Sequence, residues 1–315
     1  MLTLTLLEIV LDMSGKNSRT TDALRRYAKV ADAIVEAGEV SDWRFASGSS
    51  LSLRGAKALH LLIQAAGVRI TDDVEHRISY AELNKTYHLT LEQLEGVVDE
   101  LHTTILKLKL TREDGRSYTK SGVIIADAER DNDTTAQAEL RYRFSQTMRH
   151  AINDSTHWAV ISRKAVLAFN SKFSLRLYSL ISLRTNLRKT SEVFLLDDLR
   201  EIMGVGTQHY KEWANFRQRC LDSAIAELNQ LAGFNVGYRA LKTGRSVKAV
   251  ELFWGIKGQE ERIEALKELE RSSVGRKARR EGNVELISAA ERIERQEVAQ
   301  LLSSLTEDHA DSCSE

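Results

Sequence analysis

The 315-residue chain contains no proline, although average usage of about 5% would give roughly fifteen. Its turns must therefore come from Gly, Asn, Asp and Ser, which leave loops less stiff than proline does. Cysteine is also scarce, and Cys220 and Cys313 have neither the spacing of a metal site nor that of a redox motif. This scarcity favours a reducing, cytoplasmic setting.

Long apolar runs are missing as well. No stretch approaches the ~18 consecutive apolar residues of a membrane span. The apolar opening MLTLTLLEIVL has no basic lead-in and contains Glu8, so we do not interpret it as a signal peptide. Met13 is an alternative start, which would leave residues 1–12 without a structural role. We expect a cytoplasmic protein without a membrane partner.

Catalytic signatures are absent too. The sequence has no GxxxxGK[ST] phosphate loop, no HExxH pair and no paired CxxC, and its histidines form no close ligand pairs. Tyr238 and Lys242 have the spacing of a nicking tyrosine, but that chemistry also needs a metal-binding histidine cluster. An outward-facing tyrosine on a strand is the simpler interpretation. We predict no catalytic residue, no metal site, no cofactor and no enzymatic activity.

Charge is balanced over the whole chain, with 45 basic and 45 acidic side chains, but its distribution is uneven. Residues 151–257 carry 16 basic and 9 acidic side chains, a net charge of +7, whereas residues 1–150 and 258–315 have net charges of −2 and −5. A positive segment between two weakly acidic ones concentrates the positive electrostatic potential on one domain. Binding to a phosphate backbone requires such a concentration.

The positive segment contains three helical patterns in succession. Residues 171–186 and 196–203 predict a longer and a shorter helix, and Gly204 and Gly206 can supply the turn that follows. The longest amphipathic run is 208–231. Its predicted apolar face consists of Trp213, Phe216, Cys220, Ala224, Leu228 and Leu231.

Two strand patterns close this segment. They cover 234–241 and 246–254 and are joined through Lys242-Thr243-Gly244-Arg245. A helix-turn-helix followed by a basic hairpin is the outline of a winged helix, whose second helix enters the DNA major groove.

An earlier part of the chain repeats this outline. A helix over 51–66 precedes a short helix at 79–87, a third helix from Thr90 to Lys107, and a hairpin with its turn at 114–116. Helix-rich chains can produce such an outline by accident, but here the order and lengths of the elements also match. We therefore predict an α+β, mainly helical fold with two tandem winged-helix domains.

The predicted division has four parts. Residues 1–46 form an N-terminal extension with a helix over 22–36, and the winged-helix domains cover 47–150 and 151–257. Residues 258–315 form an acidic helical tail, either solvated or a docking segment for a partner protein, with helical patterns at 259–271 and 284–305.

Candidate DNA contacts fall into three groups. Polar side chains opposite the apolar face of 208–231 are the candidates for base reading, because Arg, Lys, Asn and Gln can pair with base edges; they are Lys211, Asn215, Gln218 and Arg219. Asp222 on that face either accepts from cytosine or is a solvated or ion-paired side chain. Hairpin cations are the candidates for phosphate or minor-groove contacts: Arg239, Lys242, Arg245 and Lys248. Further backbone contacts are predicted for Arg163, Lys164, Lys172, Arg176, Arg184, Arg188 and Lys189. For each of these, an ordinary exposed charge is the alternative.

The segments SKFSLRLYSLI, LDDLREIMGV and YKEWANFRQRCLDSAIAELNQL resemble the plasmid replication initiators that bind repeated origin sites. The resemblance is specific over about 160–257 and looser over 50–150. It is carried most by LRLY at Leu175–Tyr178, AELNQL at Ala226–Leu231 and the hairpin sequence GRSVKAVELF at Gly244–Phe253.

This resemblance implies two winged helices related by an internal pseudo-twofold axis. It implies that the second domain reads the repeat, or iteron, and that the first serves dimerisation and a second DNA contact. Monomers would bind iterons to open the origin, and dimers would bind the operator of their own promoter or pair origins. The implied partners are the host replication initiator and the replicative helicase. Family members commonly carry proline near Gly206 and Ser223, so its absence implies a more flexible turn and weaker DNA affinity.

Three alternatives remain open at this point. Within DNA binding, the chain could be a winged-helix transcriptional repressor without an origin role. It could also be an interaction scaffold, because winged helices serve as protein docking modules. A nuclease is the enzymatic alternative.

Overall fold

The computed structural model describes residues 19–45, 50–84, 89–112, 114–133, 135, 137–206 and 209–282. Up to Leu269 these residues belong to one compact unit. It contains two winged-helix units that are built from the same order of elements, together with an N-terminal extension and an inserted hairpin.

The N-terminal extension is α1 (Thr20–Tyr27), β1 (Ala33–Ala37), α2 (Gly38–Ser41) and β2 (Arg44–Phe45). The predicted helix over 22–36 is therefore wrong beyond Tyr27. All five residues of β1 are buried, and β1 pairs antiparallel with β8 (Trp158–Ser162), Ile34 opposite Ile161. The β-branched Ile34 and Val35 suit this pairing, and the partner strand overrides the local helical pattern.

The first winged-helix unit begins with a helix that Ser52 caps by accepting a hydrogen bond from the Gly55 amide (3.0 Å). Its elements are α3 (Leu53–Ala66), β3 (His76–Ser79), α4 (Tyr80–Asn84), α5 (Leu91–Thr103), β6 (Ile125–Arg130) and β7 (Glu139–Phe144). The helix predicted to run from Thr90 to Lys107 ends at Thr103, because the chain enters a strand at Leu106.

A hairpin of β4 (Leu106–Thr111) and β5 (Ser117–Gly122) is inserted between α5 and β6, and β2 pairs with β4. Its turn contains Gly115 at φ 81°, where the sequence predicted a turn. After β7, the chain continues through α6 (Gln146–Asp154), β8 and α7 (Arg163–Ala168) into the second winged-helix unit.

The second unit contains α8 (Lys172–Asn186), β9 (Ser191–Leu195), α9 (Leu196–Ile202), a long helix over 213–231, β10 (Phe234–Thr243) and β11 (Ser246–Ile256). In each unit the last strand (β7 or β11) lies in the middle of a three-stranded sheet. It pairs with the first strand of the unit (β3 or β9) on one side and with the preceding strand (β6 or β10) on the other. The two sheets accordingly have the orders β3-β7-β6 and β9-β11-β10. This common topology confirms the predicted repeat of one plan. The pseudo-twofold axis and the division at residue 150 stay predictions.

One apolar core runs through both units, and α8 lies in it. Residues 174–184 of α8 are all buried, so this helix has no solvated face. A helix that is covered on every side must place its polar residues in the interior, where they need partners.

A buried polar cluster meets this need between β1, α3 and α8. Glu36 is 1% exposed, and its carboxylate accepts hydrogen bonds from Ser41 (2.8 Å) and Ser179 (3.1 Å) and lies 2.9 Å from His60 Nε2. Burial alone would raise the pKa of Glu36, but the contact with His60, the Ser41 bond and the charge of Arg176 hold it below its usual value. The cluster ties the N-terminal extension to the central helix.

Beyond the second unit lies α12 (Gln259–Glu270), in the predicted tail. A separate compact unit begins at Glu270, and in it α13 (Arg276–Arg280) follows Gly275 at φ 74°. The helical pattern predicted at 284–305 lies outside the described residues.

Candidate nucleic-acid interface

The long helix of the second unit changes its winding in the middle. It consists of α10 (Trp213–Phe216), a π-helical segment (Arg217–Asp222) and α11 (Ser223–Leu231). A π-turn holds more residues than an α-turn, so later positions are rotated relative to a 3.6-residue pattern. In this segment the neighbouring residues Cys220 and Leu221 are both buried.

The loop before this helix is fixed by Arg200 of α9. Its Nη2 donates to the carbonyls of Tyr210 (3.0 Å) and Lys211, and its guanidinium lies 5.4 Å from the ring centroid of Phe216. Gly204, at the end of α9, has φ 69°, which makes it the turn residue that the sequence predicted; Gly206 has no positive φ. The N-terminal end of the long helix is therefore anchored to the helix that precedes it.

The four predicted base-reading residues are exposed on the long helix and on the loop that leads into it. In the described part of the chain, the side chains of these four residues, Lys211, Asn215, Gln218 and Arg219, make no hydrogen bond or ion pair to another residue. Arg217, which is not among the predicted contacts, is also exposed. The α-helical spacing put Arg217 away from the predicted polar face, whereas the π-helical segment exposes residues 217, 218 and 219 in succession.

The basic hairpin has a two-residue turn, Gly244-Arg245, with Gly244 at φ 62°. Both strands are longer than predicted, ending at Thr243 and Ile256. The register between β10 and β11 shifts after Leu241, so Lys248 has no residue directly opposite it. Lys242, Arg245 and Lys248 are exposed, while Arg239 pairs with Glu251 across the hairpin (3.4 Å). Three hairpin cations are therefore available to an external anion.

Side-chain contacts join the hairpin to the helix. The Tyr238 hydroxyl donates to Asp222 Oδ1 (2.8 Å), and the Tyr238 ring lies edge-on to Trp213, with centroids 6.2 Å apart. Arg217 Nε lies 3.5 Å from Asp222 Oδ2. Of the two roles considered for Asp222, the ion-paired one is present.

Two predicted backbone contacts are corrected by the structure. Arg176 is 7% exposed and donates to the carbonyls of Ile202 (3.0 Å) and Trp43 (2.9 Å). Arg184 is equally buried and is bound to Asp42 and to Glu192 (3.2 Å). Both guanidiniums lie in the interior because α8 has no solvated face, so they cannot contact DNA in this conformation.

The remaining predicted backbone contacts differ in exposure and in their partners. Lys172 is half-buried, donates to Ser50 Oγ (3.0 Å), and has a pKa lowered by burial. Arg163 pairs with Glu82 of the first unit, and Lys189 pairs with Glu192 (3.1 Å). Lys164 and Arg188 are exposed.

Over the described ranges, no three or more His, Cys, Asp or Glu residues are grouped so as to hold a metal ion. In the same ranges, no helix is long and apolar enough to span a bilayer.

The order of elements and the basic helix and hairpin define a tandem winged-helix protein. The family model described as "Initiator Replication protein, WH1" matches residues 42–182, and that described as "Initiator Rep protein, WH2" matches residues 195–254. The chain therefore belongs to the plasmid replication initiator family.

Among solved structures, the chain is similar to the Pi initiator protein, crystallised in complex with iteron DNA. The TM-score is 0.54 at 17% identity, over 72% of this chain and 98% of that one, and this likeness shows the fold. A crystal structure of domains 2 and 3 of RctB gives a TM-score of 0.39 at 10% identity, over 75% of this chain and 98% of that one. No curated protein sequence matches the chain.

Proposed function

We propose that this protein binds the iterons of a plasmid origin through the long helix and the hairpin of its second winged-helix unit. By this binding it promotes opening of the origin and recruitment of the replicative helicase. As a dimer it represses its own promoter.

One observation carries this proposal: the exposed cations of the second unit lie on two elements that are tied together. Lys211, Arg217 and Arg219 belong to the long helix and its entry loop, and Lys242, Arg245 and Lys248 belong to the hairpin. The Tyr238–Asp222 hydrogen bond holds the two elements together. A helix of this kind fits the major groove, while a neighbouring hairpin can contact phosphates.

Two further considerations support the same function. The chain carries both initiator domains, and the Pi protein, which has the same fold, was crystallised with iteron DNA. The exposed Asn215, Gln218 and Arg219 supply donors and acceptors for base edges in the major groove.

The first winged-helix unit is assigned dimerisation and a second DNA contact in this proposal. The further partners are the host replication initiator and the replicative helicase. These assignments extend the roles implied by the family to this chain.

The direct test is complementation. A plasmid that carries the cognate origin but no initiator gene should replicate when this protein is supplied in trans, and the purified protein should protect the origin repeats in a footprint. Repression of the promoter without replication would instead identify a transcriptional repressor. A failure to protect any origin repeat would refute the proposal.

A further inference from the structure

Asp222, the last residue of the π-helical segment, contacts two side chains, one through each of its carboxylate oxygens. Its Oδ1 accepts from the Tyr238 hydroxyl at 2.8 Å, and its Oδ2 lies 3.5 Å from Arg217 Nε. Tyr238, Asp222 and Arg217 thus connect strand β10 to the surface of the long helix. The side chain of Arg217 remains 48% exposed at the end of this connection.

The ion pair with Asp222 uses only one edge of the guanidinium. Arginine has five N–H donors in a planar fork, and those on the two Nη atoms of Arg217 bond to no residue within the described ranges. Two such donors suffice for the bidentate contact that arginine makes with O6 and N7 of guanine. Fixing Nε therefore orients the group without consuming its base-reading donors.

Tyr238 is suited to fix Asp222 permanently. Burial, together with the neighbouring Asp222 carboxylate, raises the pKa of Tyr238 to about 12, so the hydroxyl keeps the proton that it donates. The Tyr238 ring also lies against Trp213, the first residue of the long helix. A Y238F variant keeps this ring contact between hairpin and helix, so it removes only the hydrogen bond that holds Asp222.

We propose that Arg217 reads a guanine in the major groove, and that Asp222 and Tyr238 are positioning residues that orient its guanidinium. This inference rests on the proposed function, because it names a specificity determinant of the same DNA-binding surface. Arg217 thereby joins Lys211, Asn215, Gln218 and Arg219 as a fifth base-reading candidate.

The test compares the full-length protein with R217A, Y238F and the double variant on two duplexes. One duplex is recovered by the wild-type protein from a random-sequence pool, and the other has an unselected sequence. R217A should lose roughly 10- to 100-fold in affinity for the selected duplex and much less for the unselected one. Y238F should show a smaller loss with the same selectivity. The double variant should lose no more than R217A alone, because Tyr238 acts through Arg217.

A matched control is R25A, which removes an arginine from another exposed Arg–Asp pair, Arg25 with Asp22 at 3.3 Å. It should bind both duplexes as the wild type does. If Y238F does not fold, D222N replaces it, since asparagine keeps the shape of the side chain and removes the charge that orients Arg217.

Three results would overturn the assignment: an unchanged ratio of the two affinities in R217A, equal losses on both duplexes in Y238F, or additive losses in the double variant. If the wild-type protein recovers no preferred duplex at all, the proposed function itself fails. The two failures are therefore distinguishable.

Discussion

Replacing Arg176 by alanine tests whether this residue stabilises the interior, as the structure indicates, or contacts DNA, as its position in the sequence suggested. Its guanidinium donates to the carbonyls of Trp43 and Ile202, and it lies 5.5 Å from the ring centroids of both Trp43 and Phe45. Burial lowers the pKa of Arg176 to about 10, so it stays charged at neutral pH beside the buried Glu36 carboxylate.

The expected cost of R176A follows from these contacts. The substitution leaves two buried carbonyls without a donor and the Glu36 charge with one cation fewer, and leaving a buried acceptor unsatisfied costs about 1–3 kcal/mol. Urea unfolding at pH 7 should therefore show a loss of that size in the free energy of unfolding. The folded fraction should keep the wild-type salt dependence of DNA binding, because no phosphate contact is lost.

The matched control is R69A. Arg69 forms an ion pair with Asp72 (3.4 Å), and its side chain is 62% exposed. That pair should contribute less than about 1 kcal/mol. The reasoning would be refuted if R176A were as stable as R69A and if its salt slope fell by about one unit. That result would mean that Arg176 contacts the DNA backbone.

Four further substitutions test the core, the hairpin and the long helix. E36Q should lower the free energy of unfolding by about 3–5 kcal/mol at pH 7. This deficit should shrink as the pH falls below 4.5, because the wild type loses the stabilising charge as the pH passes the lowered pKa of Glu36. Urea titrations between pH 7 and pH 3 measure the deficit, and a deficit that stays constant would contradict the prediction. F216A removes a side chain that is 0% exposed and should cost about 3–5 kcal/mol in the free energy of unfolding, whereas a cost below about 1 kcal/mol would mean that the long helix does not pack as described. R245A should weaken binding to all duplexes alike and lower the salt slope by about one unit. N215A should cost about 1–3 kcal/mol of binding free energy on the preferred duplex only. Equal losses for N215A on every duplex would contradict base reading by Asn215.

Much of the second winged-helix unit could be predicted from the sequence, because its elements carry their own periodicity. The apolar positions of 208–231 recur at helical spacing, and Phe216, Cys220, Ala224, Leu228 and Leu231 are buried. The alternating strand patterns and the glycine turn predict the basic hairpin. These signals are local, so no knowledge of the tertiary structure was needed.

The errors arise where distant contacts or an unusual helical winding decide the outcome. Residues 33–37 form a strand because β8, far along the chain, pairs with them, and no local pattern indicates this. Arg176 and Arg184 could not be distinguished from surface cations, since their burial depends on Trp43, Asp42 and the other neighbours that cover α8. Arg217 was missed because a π-helical segment departs from the 3.6-residue spacing on which the prediction relied.

The central claim is that the exposed cations of the long helix and hairpin hold a DNA duplex. The most direct measurement is the salt dependence of binding to the origin duplex, for the full-length wild type and for a variant with Lys242, Arg245 and Lys248 all replaced by alanine. If these three side chains contact phosphates, the slope of log K against log salt should fall by about 0.9 for each contact removed. An unchanged slope and affinity in the triple variant would contradict the claim.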